Sequence, residues 1–574
     1  MRATRRPGRS LVGLALLVPA ATLPTVPRAA AAAETGVAAE LDARFAEAYP
    51  ADGPGAAVLV KQGEEVILRK GYGMADLELG VPVAPEMVFR LGSITKQFTG
   101  AAVLLLVQEG KLALDDTVAE LLPGYEGPAG PVTVHQLLTH TGGVPSYTDV
   151  PEYVALMRED VTTEQMIDRF REKPLDFEPG TGWHYSNSGY FLLGRIIEEV
   201  SGESYEDFVE TRIFEKLGME RTRYGKASEL VPGRVEGYEG APGAYQNAAY
   251  LSMTQPYAAG SLLSTVDDLA RWDEALRGDE LLPPELRELL WTPGDLDDGR
   301  ATGYGYGFVV HDYQGHRLVE HGGGINGFVT SMLRIPDRGI FVAVLSNNPA
   351  ADPGPGALAL EAATRVLGKP LAERPSVALD PETLDEYVGV YAIEPPRGGP
   401  APQTEQVRVV TREGGQLFTQ RTGGAKSAVS FSEEDRIFYS DSLTTARFVR
   451  DDEGRVTGMW MRPPVGAEEW AAKTDRPIPE ERQAVEIDPA LLDRYPGRYE
   501  LVPGFWIDVT REGDRLFAQA TGQPRFELFP ETETRFFLKV VDAQVEFHGA
   551  EDGQADALTL FQGGREMPGK RVED

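Results

Sequence analysis

Three short stretches of the chain bring together residue types that can perform acyl transfer. In Arg90-Leu91-Gly92-Ser93-Ile94-Thr95-Lys96 a serine precedes a lysine by three positions. On a helix this spacing puts both side chains on one face, a turn apart. A buried lysine so placed can accept the hydroxyl proton or lower the hydroxyl pKa. Ser93 at a helix start would also sit where unpaired amides and the helix dipole favour developing negative charge. The competing reading is a capping serine followed by a surface lysine; the pattern occurs once in the chain. The second stretch, Pro179-Gly180-Thr181-Gly182-Trp183-His184-Tyr185-Ser186-Asn187, offers a phenol and an amide two residues apart. Tyr185 could shuttle a proton if a neighbouring cation lowered its pKa, and Asn187 could hold the serine–lysine pair and a substrate amide. The third, Glu320-His321-Gly322-Gly323-Gly324, has glycines that would let a substrate backbone approach and an amide complete an oxyanion hole. Against it stands a surface histidine beside a turn. Tyr245-Gln246-Asn247 repeats the Tyr-x-Asn pattern in a Gly/Ala/Pro-rich loop with no helix behind it, and carries no chemistry.

These residues need elements to hold them. Ser93–Glu109 has helical character, with Gly110 as its terminator. Because Ala101–Val107 is apolar on every face, this helix is expected in the domain centre. An apolar helix, Phe191–Val200, follows the second stretch. Strands are expected at Arg317–Glu320, Phe328–Ile335 and Gly339–Ser346, with Pro336-Asp337-Arg338-Gly339 turning between the last two. Another helix is expected near Gly356–Leu367. Composition then shifts at Lys369–Pro381 and again at Lys473–Pro489, both rich in Pro and charge. The two segments beyond repeat each other. Leu384-Asp385-x-Tyr387-x-Gly389-x-Tyr391 returns as Leu492-Asp493-x-Tyr495-x-Gly497-x-Tyr499, and Thr411-Arg412-Glu413-Gly414 returns as Thr510-Arg511-Glu512-Gly513. Their alternating, turn-punctuated pattern predicts two tandem antiparallel barrels.

Composition narrows the chemistry. The 574 residues carry 56 basic and 89 acidic side chains, a formal net charge of -33, and no cysteine. That excludes disulfides, thiolate metal sites and cysteine nucleophiles, and argues against nucleic acid or an anionic membrane as partner. Seven histidines show no zinc-ligand spacing beside carboxylates, and no G-x-S-x-G elbow, HExxH helix, phosphate loop or dinucleotide fingerprint occurs. No metal and no cofactor is expected. Residues 1–33 read as a secretory signal: four early arginines, the apolar run Leu11–Val18 and the small-residue stretch Ala29–Ala33. Export to the periplasm or outside the cell is therefore expected, with no membrane anchor.

Taken together, Ser93-x-x-Lys96, Tyr185-x-Asn187 and His321-x-Gly323 resemble the three motifs of the penicillin-recognising serine hydrolases, which include class C β-lactamases, DD-peptidases, esterases and D-aminopeptidases. The flanking words Leu91-Gly92-Ser93, Gln136-Leu137-Leu138-Thr139-His140-Thr141-Gly142-Gly143 and Pro179-Gly180 are similar too. The resemblance implies an α/β catalytic domain: an antiparallel sheet with terminal helices on one side and an all-helical lobe beside it. It implies Ser93 as nucleophile, Lys96 as its partner, Tyr185 as acid/base, Asn187 as substrate-orienting group, and the amides of Ser93 and Gly324 as oxyanion hole. His321 and Gly322 depart from the usual Lys-Thr/Ser-Gly triplet, losing a cation and a hydroxyl suited to a substrate carboxylate. The expected layout is 1–33 signal, 34–370 catalytic domain, 371–478 first barrel and 479–574 second barrel. It is similar to D-aminopeptidases, in which a loop of the last barrel reaches the cleft. The expected substrate is a small peptide, amide or ester, best a peptide containing D-amino acids. A β-lactamase, a DD-carboxypeptidase, a promiscuous esterase and a non-catalytic binding protein remain alternatives.

Overall fold

The apolar run Ala56-Ala57-Val58-Leu59-Val60 forms the fifth strand in space of a six-stranded antiparallel sheet. In spatial order the strands are Val309–Tyr313, His316–Ile325, Phe328–Ile335, Ile340–Ser346, Ala56–Gln62 and Glu65–Tyr72. The computed structural model describes residues 28–150, 152–395, 405–480, 482–502, 505–521, 523, 525–549 and 553–572. The expected secretory signal lies outside them except for its last six positions, which open the helix Arg28–Ala48.

The central strands are apolar on both faces because both faces are covered. On one side Ala56, Val58, Val60, Val342 and Val344 pack against Leu41 and Phe45 of the first helix and Leu358 and Ala362 of the helix Pro355–Val366. On the other, Ala57, Leu59, Phe341, Ala343 and Leu345 join Phe98, Leu104 and Trp272 in the larger core. The helix Thr95–Gln108 runs through that core, preceded by a 3-10 turn, Gly92–Ile94. All its residues from Thr95 to Leu104 are buried, polar ones included. Gly110, at φ +67°, ends it in the left-handed conformation that glycine adopts without penalty. The helix Asn187–Ser201 packs beside it. Terminal helices thus cover one face of the sheet and a helical lobe adjoins the other.

Two closed, eight-stranded antiparallel barrels follow, Gly389 to Thr474 and Gly497 to Val572. The sequence repeat is the lock that closes each. Tyr391 donates its hydroxyl to the carbonyl of Tyr387 at 2.6 Å, and Tyr499 does the same to Tyr495 at 2.7 Å. The Tyr387 ring lies 4.5 Å from that of Phe448, and the Tyr495 ring 4.4 Å from that of Phe547. Arg412 pairs with Asp385, as Arg511 does with Asp493. The intervening glycine leaves room for a cation of the closing strand: a Cβ on Gly389 would meet Lys473, and one on Gly497 would meet Arg571.

Candidate active site

Ser93 lies in the 3-10 turn and Lys96 one turn on, yet neither does what a capping serine and surface lysine would. No side chain caps this helix start, and Lys96 is fully buried. Lys96 Nζ bonds to Ser93 Oγ at 3.1 Å, Asn187 Oδ1 at 2.8 Å and the carbonyl of Ala259 at 2.8 Å. All three partners are neutral, so burial goes uncompensated and pushes the Lys96 pKa well below the ordinary lysine range. The Ala259 carbonyl is fixed by the backbone around it: Thr99 Oγ1 donates to the carbonyl of Ala258 at 2.7 Å, and the amide of Leu262 donates to Thr95 Oγ1 at 3.1 Å.

Tyr185 and Asn187 converge on the same ammonium. Asn187 opens its helix, with Ser186 as N-cap accepting from the amide of Gly189 at 3.1 Å. Its amide nitrogen donates to Thr148 Oγ1 at 3.0 Å, which forces Oδ1 toward Lys96. The Tyr185 ring centroid lies 4.7 Å from Lys96 Nζ. The phenol oxygen is buried and near Ser93 but makes no aligned hydrogen bond. The expectation of a lowered phenol pKa is corrected here. Burial raises it, and the Lys96 nitrogen lies over the ring face. Tyr185 is a neutral phenol at any ordinary pH.

His140, quoted above only as a flanking residue, underlies Tyr185 with ring centroids 4.4 Å apart. Its Nδ1 accepts the amide of Ser186 at 3.1 Å, so Nε2 carries the proton, buried and without a partner among the described residues. Burial first, and the nearby Lys96 charge second, hold it neutral.

His321 is not at a strand end. The strand continues from His316 through the glycines to Ile325, placing His321 opposite Met332 and Gly323 opposite Thr330. His321 Nε2 meets the Tyr304 hydroxyl at 2.8 Å, and Nδ1 meets the carbonyl of Gly322 at 2.5 Å. A carbonyl only accepts, so Nδ1 carries the proton and Nε2 accepts from Tyr304. Burial and Lys96 depress its pKa to about 3. Tyr304 is a site residue that sequence reasoning missed; its only signal is the alternation Gly303-Tyr304-Gly305-Tyr306-Gly307. The glycines have a tertiary cause. A Cβ on Gly323 would lie 1.9 Å from the carbonyl oxygen of Leu91, and one on Gly92 only 3.0 Å from the amide nitrogen of Gly324. Thr330 Oγ1 donates to that same Leu91 carbonyl at 2.7 Å. Backbone thus packs on backbone, and this brings Gly324 beside the turn that carries Ser93. The Asn247 of the rejected Tyr-x-Asn copy bonds to Glu78 at the surface.

At the rim, His184 lies between Asp176 at 2.7 Å and Asp149 at 3.3 Å, and these two carboxylates raise its pKa to about 9. A loop of the first barrel also arrives here. The amide of Gly466 donates to the carbonyl of Thr302 at 3.1 Å, and Arg300 donates to the carbonyl of Glu468 at 3.1 Å. A Cβ on Gly466 would sit 3.1 Å from the Trp183 ring. The expected reaching loop therefore comes, among the described residues, from the first barrel and not the last. The second barrel leans on the first, where the amide of Asp542 meets the carbonyl of Gly424 at 3.3 Å.

The family profile described as Beta-lactamase matches residues 43–365, more than half of the chain. The chain belongs to the β-lactamase family. As a β-lactamase-family protein it is a serine hydrolase. A second profile, Domain of unknown function (DUF3471), matches residues 481–571, which span the second barrel. Penicillin-binding protein 4* of Bacillus subtilis (strain 168) is 27% identical over 533 residues, 90% of this chain and 94% of that protein. The D-aminopeptidase of Gluconobacter oxydans (strain 621H) is 31% identical over 353 residues, 60% of this chain and 66% of that protein. Among solved structures, the octameric penicillin-binding protein homologue from Pyrococcus abyssi matches with a TM-score of 0.51 and 27% identity, covering 76% of this chain and 99% of that one. The candidate site residues Ser93, Lys96, Tyr185, Asn187 and His321 lie within the matched family region.

Proposed function

We propose that this β-lactamase-family protein is an exported hydrolase that forms an acyl-enzyme on Ser93, acting best on amides and peptides that contain D-amino acids. The observation that carries the chemistry is the fully buried Lys96, with Nζ 3.1 Å from Ser93 Oγ and no carboxylate partner. As a neutral amine it takes the Ser93 proton while Oγ bonds to the substrate carbonyl carbon. The amides of Ser93 and Gly324 stabilise the resulting oxyanion. Tyr185, kept as a neutral phenol, relays the proton from Lys96 to the departing nitrogen or oxygen. Water, deprotonated by the same pair, then releases the acyl group from Ser93.

The substrate reading rests on His321. It is neutral, buried and already engaged with Tyr304 and Gly322, and Gly322 brings no hydroxyl. Such a site does not grip a free substrate carboxylate. That favours amide, ester and aminopeptidase chemistry over carboxypeptidase or β-lactam chemistry, in line with the likeness to a D-aminopeptidase. Export rests on residues 1–33 alone.

The test has two parts. Intact mass after a fluorophosphonate or penicillin probe should show one adduct, lost in Ser93→Ala. Side-by-side turnover of a D-alanine anilide, nitrocefin, a D-Ala-D-Ala peptide and a short-chain ester should rank the anilide first. Absence of an adduct sinks the acyl-enzyme; a leading rate on nitrocefin or the D-Ala-D-Ala peptide sinks the substrate reading.

A further inference from the structure

The first barrel carries a cationic, aromatic outer wall that the hydrolase chemistry leaves unexplained. Its strands alternate as a barrel must. Ile437, Ala446, Phe448, Met459, Met461 and Ala471 are buried inside, which turns Arg436, Arg447, Trp460 and Trp470 outward. Register aligns these four in one row: Arg436 opposite Arg447, Arg447 opposite Trp460, and Trp460 opposite Trp470. Like charges directly opposed across strands are unfavourable. The exposed Glu433 pairs only with Arg436. Arg447 lies over the Trp460 ring, 5.7 Å from its centroid, and neither Arg447 nor Arg462 has an ion-pair partner among the described residues. In a chain with 33 more acidic than basic residues, two exposed, unpaired arginines on one wall leave positive charge free for an anionic ligand. They line a hollow of about 270 Å³ with Glu468 as its one carboxylate.

The hollow shares Arg462 and Glu468 with the flanks of the loop that reaches the site's rim. Arg462 and Glu468 bracket the loop that touches Trp183 and Thr302, each two residues from a site side chain, Tyr185 and Tyr304. Arg462 is opposite Thr445, so it is the diagonal neighbour of Arg447, roughly 7–8 Å away. That matches the roughly 7 Å between alternate side chains of an extended peptide. We propose that this wall is an extended substrate subsite, in which Arg447 and Arg462 hold two carboxylates spaced i, i+2 on a peptide leaving group, its backbone lying over Trp460. The proposal rests on the peptide-hydrolase reading above and names its substrate class: D-amino-acyl peptides with an acidic tail.

The test compares D-alanyl peptides ending in Glu-Gly-Glu amide with Gln-Gly-Gln counterparts, with zero to four glycines inserted after the D-alanine. The acidic series should show roughly tenfold higher kcat/KM at its best spacer length, falling toward parity in about 1 M salt. R447Q/R462Q should abolish the preference, while R525Q on the second barrel keeps it. Titrating the Glu-Gly-Glu peptide into Ser93→Ala protein should change tryptophan fluorescence, a readout independent of turnover. If the peptide binds there but none is cleaved, the hydrolase substrate reading fails and the subsite stands. Equal rates on both series without a fluorescence change, a preference surviving R447Q/R462Q, or tighter binding of an acidic disaccharide than of the peptide would each overturn it.

Discussion

Gly323→Ala tests whether the backbone-on-backbone contact positions the nucleophile. The new methyl would sit 1.9 Å from the Leu91 carbonyl oxygen and 2.5 Å from Thr330 Oγ1, where real Cβ contacts stay beyond 3.0 Å. The Leu91 carbonyl must therefore retreat by roughly 1 Å, and its 2.7 Å bond from Thr330 is lost as the hydroxyl is displaced. Leu91 is two residues before Ser93, whose amide and hydroxyl move with it. A misplacement of about 1 Å at a reacting group costs on the order of 10²-fold in rate, and the overpacking costs about 1–3 kcal/mol in stability. Gly324→Ala is the matched control, since its methyl meets nothing within 4 Å and should change stability by less than about 0.5 kcal/mol. Steady-state kcat on a D-alanine anilide or short-chain ester, with thermal denaturation of each variant, reads both effects. A Gly323→Ala enzyme with kcat within threefold of wild type and an unchanged melting temperature would falsify the positioning argument.

Three further outcomes follow from the same geometry. Lys96→Arg should slow acylation by at least about 10³-fold, because a guanidinium does not give up its proton, whereas Tyr185→Phe should lose about 10²-fold; rapid-quench adduct mass checks this, and the reverse order would make Tyr185 the base. His184, raised from 6.5 to about 9 by Asp149 and Asp176, contributes stability fully below about pH 6.5 and loses it as pH rises through about 9. The melting-temperature gap between wild type and His184→Gln should therefore be widest in acid and closed above pH 9; a gap that widens with pH contradicts the ion pairing. Tyr391→Phe and Tyr499→Phe each remove one closing hydrogen bond and should cost about 1 kcal/mol; calorimetry should show the two losses adding in the double variant, and strong coupling would mean that the barrels do not close independently.

Much of this architecture is legible in the chain because local pattern and tertiary environment agree. Thr95–Gln108 reads as a central helix since no face of Ala101–Val107 is polar, and the barrels are announced by a repeat that proves to be their closure. The errors arise where a distant contact overrides local pattern. Gly322-Gly323-Gly324 reads as the end of a strand, since glycine weakens strands. These glycines are instead paired residues inside the last part of the strand, and the Leu91 carbonyl occupies the space of a Gly323 side chain. Tyr185 next to a lysine invites a lowered pKa, but which part of the phenol faces the cation depends on a helix in another segment. Tyr304 and Gly466 lie in loops, and beyond the Gly-Tyr-Gly alternation around Tyr304 nothing local marks either as touching the site.

The pairing of the sheet's first and last strands in sequence has a consequence for how the chain is made. Val58 is registered against Val344 and Leu59 against Ala343, so these two neighbouring strands come from opposite ends of the catalytic domain. The first strand pairs early with Glu65–Tyr72 on one edge, but its other edge waits for residues beyond 340 to leave the ribosome. Contacts so remote in sequence form slowly, because loop closure must precede them. The nascent catalytic domain thus spends most of its synthesis without its complete sheet, a state that a chaperone can hold open. In the barrels the closing pairs, Val390 with Thr474 and Arg498 with Val572, span far fewer residues, so the delay is shorter.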